Sequence, residues 1–109
     1  NKFNLKNKLY ISYTQMLYIM EWSIKDGCTE KAVSKFLSTG APMPEECKLI
    51  GRWHAPGSVN GWLLADTENP NTIYEHASEW GELLNWKTTP VFTDEHAGLV
   101  STKVWKSDN

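Results

Sequence analysis

Residues 16–24, which read Met-Leu-Tyr-Ile-Met-Glu-Trp-Ser-Ile, constrain the fold of this chain more than any other stretch. They are rich in β-branched and aromatic types, which favour a β-strand. Successive side chains of a strand alternate between its two faces, so Leu17 and Ile19 share one face. Tyr18 and Trp22 share the other. Because both faces are apolar, we expect a sheet that is covered on both sides.

Helical and turn signals divide the rest of the chain into further elements. Apolar residues recur at helical spacing over residues 28–37 and again over residues 73–84. Thr72 and Glu75 have the spacing of a capping box at the start of the second helix. Trp80 lies on the apolar stripe of that helix, which predicts a core position. Three further strands are predicted over 49–55, 61–66 and 86–92, and a last one over 99–105.

These elements follow the order β-α-β-β-α-β, which predicts the α+β class. Right-handed crossovers give the ferredoxin-like arrangement, an antiparallel sheet with two helices on one face. Two helices cover only one face of the sheet, so the other apolar face needs another cover. A second copy of the same sheet supplies it most economically, which predicts a homodimer through the sheet face.

The chain has 109 residues, a length that suits one domain. Residues 1–15 carry three Lys and no acid, and we interpret them as an N-terminal extension. The predicted ferredoxin-like domain spans residues 16–98, and residues 99–109 are predicted as a C-terminal strand or tail.

Composition excludes several classes of partner. Lys and Arg number 11 against 13 Asp and Glu, and the formal net charge of −2 argues against a nucleic-acid partner. No stretch has the length and hydropathy of a membrane span, so no membrane partner is expected. Cys28 and Cys47 are too few for a disulfide framework and lack the C-x-x-C spacing, which indicates a reducing, cytoplasmic location.

Motifs for cofactors and metals are absent from the sequence. It has no Walker-type, Rossmann, G-x-S-x-G or EF-hand pattern, so no cofactor is expected. His54, His76 and His96 lack the spacing of metal ligands, and no nearby Cys or Asp completes a motif, so no metal site is expected.

Two segments carry a family likeness: residues 51–54 (Gly-Arg-Trp-His) and residues 89–95 (Thr-Pro-Val-Phe-Thr-Asp-Glu). Together with the helix that contains His76 and Trp80, they resemble short bacterial proteins catalogued as domain of unknown function 3303. The likeness covers residues 16 to about 98. It implies a ferredoxin-like fold of the dimeric α+β barrel type. It implies no catalytic residues, because no activity is established for that family.

Arg52 and His54 form the candidate ligand site. Both alternate with Trp53 along a predicted strand, so they share one face and can act together. Arg can clamp an anionic ligand, and His can donate a hydrogen bond or transfer a proton. We expect this face to be the open one, because apolar helix residues fill the other. Three aromatic residues complete the set of candidates, because aromatic rings commonly line apolar pockets: Trp62, Tyr18 and Trp22.

Three functions remain open at this point. The first is a binding module for a small apolar or aromatic ligand. The second is a cofactor-independent oxygenase or isomerase that uses His54 as a base on an activated carbon acid, so the sequence leaves open whether the chain is an enzyme. A closed pocket of at least roughly a few hundred cubic ångströms, with His54 hydrogen-bonded to a second polar residue, would favour the enzyme. The third is a purely structural interaction protein, which fits if both sheet faces are packed solid.

Overall fold

The residues that most constrain the fold form a strand, as their β-branched and aromatic side chains predict. The computed structural model describes residues 16–106, which form four strands and three helices: β1 (Leu17–Ile24), α1 (Thr29–Thr39), β2 (Lys48–His54), β3 (Asn60–Asp66), α2 (Asn71–Glu79), β4 (Leu84–Val91) and α3 (Asp94–Trp105). The extension predicted over residues 1–15 lies outside the described residues, as do residues 107–109.

The strands form one antiparallel sheet in the order β2-β3-β1-β4. Side chains from α1 and α2 pack against the same face of this sheet. The α+β class and the ferredoxin-like arrangement predicted from the sequence are therefore confirmed. Pro90 lies near the end of β4, which is an edge strand, where a missing backbone N–H is tolerated.

Residues 94–105 form the helix α3, so the strand predicted over residues 99–105 is wrong. Thr93 caps the start of this helix, where its side chain accepts a hydrogen bond from the backbone N–H of His96 at 3.3 Å. Two acidic residues follow in the first turn, where the helix dipole favours negative charge. These start signals outweigh the strand propensity of the Val and Trp residues that follow.

The start of α2 lacks the capping box predicted from Thr72 and Glu75. The N-cap residue is Pro70, and no side chain caps the helix. The Thr72 hydroxyl donates to the backbone carbonyl of Asn69 at 2.7 Å and lies 3.1 Å from the Thr67 hydroxyl. The prediction is wrong because Thr72 lies inside the first turn and is buried there.

Two buried clusters lie on the face of the sheet that α1 and α2 cover, which we call the covered face. In one cluster Trp22 of β1 packs with Ala32 of α1 and with Trp80, which follows α2. In the other, Met20 of β1 packs with Leu63 of β3. Trp80 is 7% exposed, which confirms its predicted core position.

The opposite face of the sheet, which we call the open face, carries large apolar side chains. Ile19 of β1 lies on it, as alternation predicted, and Trp53 of β2 is directly opposite Trp62 of β3. Trp53 is 56% exposed and Trp62 is 38% exposed. Within a single chain, these side chains are left in contact with solvent.

A β-bulge in β2 determines which of its residues face the helices. Leu49 pairs with Ala65 of β3, whereas Gly51 pairs with Leu64, so Ile50 is an extra residue in β2. Side chains change face at every residue of a strand, and an extra residue therefore reverses the alternation beyond it.

Candidate functional site

A cavity of about 230 Å³ lies between the covered face and the helices. Its walls are mainly apolar and aromatic and include Trp22, Ala32, Phe36, Leu63, Trp80 and Trp86. Its polar lining consists of Arg52, His54, Ser58 and His76, and no Asp or Glu of the described residues lines it. The expectation that apolar helix residues fill this face is therefore wrong, because a space remains beneath them.

Arg52 and His54 lie on the covered face, not on the open face where the sequence predicted them. Arg52 pairs with Leu63 and His54 pairs with Gly61, and both of these partners belong to the covered face. The extra residue Ile50 is the physical reason, because it turns both side chains over. Arg52 and His54 do share one face, as predicted, and both line the cavity.

The aromatic candidates are divided between the two faces of the sheet. Trp22 lines the cavity. Tyr18 lies on the same face but packs beside Met20, and it is not among the lining residues. Trp62 lies on the open face beside Trp53. The structure thus brings Trp22 together with the Arg and the His, and it leaves Tyr18 and Trp62 outside the cavity.

Arg52 carries the only permanent positive charge among the residues described as lining the cavity. Its Nη2 donates to the backbone carbonyl of Ala41 at 2.7 Å and lies 4.0 Å from the sulfur of Met43. Burial lowers the pKa of the guanidinium, which nevertheless stays charged at neutral pH. No carboxylate in the described part of the chain pairs with it.

His54 lies at the mouth of the cavity, between two aromatic rings. Its ring centroid is 5.2 Å from that of Trp22 and 5.3 Å from that of Phe36, and both contacts are edge-on. Its Nδ1 lies 3.2 Å from the hydroxyl oxygen of Ser58. The ring is therefore held in place by packing on two sides and by one hydrogen bond.

The loop after β2 positions Ser58 against His54. The backbone N–H of Ser58 donates to the carbonyl of Ala55 at 2.8 Å and closes a turn over Pro56 and Gly57. Proline followed by a glycine with a φ of +85° suits a type II turn. Ser58 itself has a φ of +59°, a left-handed conformation that is uncommon for residues other than glycine.

His76 of α2 is a buried polar residue on the cavity wall, with 1% of its surface exposed. Its Nδ1 has no hydrogen-bond partner and lies 3.6 Å from a carboxylate oxygen of Glu79. Burial, with smaller effects from the charges of Arg52 and Lys35, lowers the pKa of His76 to about 4. His76 is therefore neutral at physiological pH, so its contact with Glu79 is not an ion pair.

Trp86 of β4 brings a second unpaired polar atom to the cavity wall. Its Nε1 is buried without a hydrogen-bond partner, and its ring centroid lies 5.8 Å from that of His76 and 6.2 Å from that of Trp22. An indole N–H can only donate, and leaving it buried and unpaired is costly. Sequence reasoning missed both residues as site candidates. For His76 a signal existed, because it sits beside the apolar stripe of a helix.

Residues 16–106 contain neither a cluster of metal ligands nor a membrane-spanning helix. No group of three or more His, Cys, Asp or Glu side chains is arranged there to hold a metal ion. No helix in this part of the chain has the length and hydropathy needed to cross a bilayer. Cys28 and Cys47 are both free thiols.

Comparison with known proteins gives one result at the level of the family. No curated protein and no solved structure matches the chain significantly. The family model for Domain of unknown function (DUF3303) matches residues 16–104, which include every strand and nearly all of α3. The chain therefore belongs to the DUF3303 family.

Proposed function

We propose that this chain is a binding module that holds a small apolar or aromatic molecule in the cavity beneath α1. The observation that carries the proposal is a cavity with mainly aromatic walls and a few converging polar side chains. Ligand sites in proteins commonly combine these two features. The volume of about 230 Å³ suits a small ligand, since an engineered cavity of about 150 Å³ holds benzene.

Binding is tested with small aromatic probes, namely benzyl alcohol, benzamide and benzoate. Isothermal titration calorimetry measures their affinity, and thermal unfolding measures their stabilisation. A ligand at 100 times its Kd should stabilise the fold by about 2.7 kcal/mol. We expect at least one probe to bind the wild-type chain. If none of the three binds, the proposal is wrong.

A pair of matched variants locates the binding site. Ala32→Leu adds volume to the cavity wall and should weaken the binding of every probe. Ala97→Leu makes the same change at an exposed position of α3 that does not line the cavity, and it should leave binding unchanged. Equal affinities in the two variants would contradict a site in this cavity.

A second candidate function is favoured by the hydrogen bond between His54 and Ser58, and it ranks second because the cavity is open at the exposed His54 and not closed around it. A histidine that is oriented by a hydroxyl at the mouth of an apolar cavity suits a general base, as an oxygenase or isomerase without a cofactor would need. Exchange of the α-hydrogens of acetophenone for deuterium tests for such a base. Exchange that is faster than in buffer and is lost in His54→Gln would favour the enzyme over the binding module.

The homodimer through the sheet face stays a prediction. The face concerned is the open face, which the two helices leave uncovered. Trp53 and Trp62 support it, because large apolar side chains exposed side by side are typical of protein interfaces. A purely structural role is less well supported, because the covered face is not packed solid. A cytoplasmic location also stays a prediction from the two free cysteines.

A further inference from the structure

We propose that the ligand of this cavity is a small aromatic carboxylate, with its carboxylate group on Arg52. This inference rests on the proposed function, because it names the class of molecule that the same cavity binds. It has three supports: the unpaired charge of Arg52, the absence of acids from the described lining, and the aromatic walls.

The first support is that Arg52 has no carboxylate partner among the described residues. A partly buried guanidinium is normally satisfied by a carboxylate, often through two parallel hydrogen bonds. Here Nη2 contacts only the carbonyl of Ala41 and the sulfur of Met43, and no described carboxylate pairs with the group. The guanidinium therefore has donors to spare for an anion that enters the cavity.

The second support is the charge of the surroundings. The residues described as lining the cavity include no Asp or Glu, and His76 is neutral at physiological pH. Lys35 adds a further positive charge nearby: its Nζ donates to the backbone carbonyl of Glu79 and lies 4.5 Å from the centroid of the Trp80 ring. The field in the cavity thus favours an anion over a neutral or cationic ligand.

The third support is the shape and chemistry of the walls. Trp22 and Trp86 form adjoining aromatic walls whose ring centroids are 6.2 Å apart, and Phe36 and Trp80 add further aromatic surface. The unpaired Nε1 of Trp86 adds a donor that an acceptor atom of the ligand can satisfy. A flat apolar body with one anionic end matches this combination, and a single guanidinium matches the single charge of a carboxylate.

Benzoate and benzamide make a matched pair of probes, because they share a ring and differ in charge. Wild-type protein should bind benzoate about tenfold more tightly than benzamide or better, as charge-assisted hydrogen bonds imply. Excess inorganic phosphate should not displace benzoate. Equal affinity for the two probes, or displacement by phosphate, would overturn the carboxylate assignment. If benzamide or benzyl alcohol still binds, the proposed function survives, and if none of the three probes binds, it fails as well.

Three variants test the role of Arg52. Arg52→Gln should abolish the preference for benzoate, whereas Arg52→Lys, which keeps the charge, should retain part of it. Lys87→Gln removes a cation from the exposed edge strand at a position paired with Glu21, and it should leave the preference intact. Circular dichroism establishes that each variant is folded. A folded Arg52→Gln protein that still prefers benzoate would overturn the proposal, as would loss of the preference in Lys87→Gln.

Discussion

Each face of the sheet carries a few side chains that the opposite face would ordinarily have. A face under helices is usually apolar throughout, yet the covered face holds the charge of Arg52 and the unpaired Nε1 of Trp86, and the buried His76 of α2 packs against that ring. A face without helices is usually polar, yet the open face presents Trp53 and Trp62. This difference is the basis of both proposals, a small ligand with a polar end for the covered face and an apolar protein surface for the open face.

The largest expected effect is the loss of stability on disrupting the core between the covered face and the helices. Trp80→Ala should lower the free energy of unfolding by about 3–5 kcal/mol, because it empties a buried aromatic site. Trp105→Ala makes the same change on α3, where the side chain is 79% exposed in the single chain, and should cost much less. Urea unfolding measures both values. Similar losses in the two variants would contradict the assignment of Trp80 to the core.

The next prediction concerns His76, the buried polar residue of α2, and the pH dependence of the free energy of unfolding. The pKa of His76 is lowered from 6.5 to about 4 in the folded chain, so between these values the unfolded chain binds more protons. The free energy of unfolding should therefore fall by about 3 kcal/mol as the pH drops from 6.5 to about 4. Three charged groups face His76, and they are Glu79, Arg52 and Lys35.

Variants assign that pH dependence to one residue. His76→Leu should flatten the stability profile between these pH values, because the titrating group is gone. His54→Gln, at the exposed mouth of the cavity, should leave the slope in place. Urea unfolding at a series of pH values provides the profiles, and a wild-type slope in His76→Leu would show that other groups cause it.

The third prediction tests the open face as an interface. Trp62→Lys should weaken self-association by about 2 kcal/mol, roughly thirtyfold in Kd, as buried tryptophans at interfaces do. Tyr74→Lys places the same charge on the exposed surface of α2 and should not change association. Analytical ultracentrifugation measures both. A wild-type chain that is monomeric at micromolar concentration would remove the open face as a dimer interface.

The smallest expected effect concerns the rim of the cavity. Ser58→Ala loses the hydrogen bond to His54 and keeps the left-handed backbone, which predicts a loss of about 1 kcal/mol. Ser58→Gly loses the same bond but relieves the backbone, so its free energy of unfolding should stay within about 0.5 kcal/mol of wild type. Chemical unfolding compares the two, and equal stability of Ala and Gly at this position would show that the backbone is not strained.

The fold could be predicted from the sequence because local patterns determine it. The two-residue period of β1 assigned Ile19 and Trp22 to opposite faces, and the helical stripe placed Trp80 in the core. The site could not be placed in the same way. The faces of Arg52 and His54 cannot be found by counting along β2 from Leu49, because the bulge at Ile50 interrupts the alternation. Neither composition nor mean hydropathy reveals such a bulge.

A sequence signal for the bulge does exist, and it is Gly51. An isolated glycine inside a strand pattern often marks a bulge or the close approach of another group. A Cβ at Gly51 would lie 2.5 Å from the ring of Trp53, so the indole lies directly over the glycine backbone. The cavity had no such signal, because an unfilled volume depends on how helices and sheet meet in three dimensions.

The bulge also makes the chemistry of the cavity depend on the register of β2. Pairing β2 without the bulge, so that Ile50 lies opposite Leu64 of β3, would shift every later residue by one position and turn Trp53 inward and both Arg52 and His54 outward. A basic pocket would become one filled by indole, with the amino-acid sequence unchanged. Deleting Ile50 would leave Gly51 and the later residues opposite the same partners in β3, so the register of this strand, and not its length, keeps a charge in the cavity.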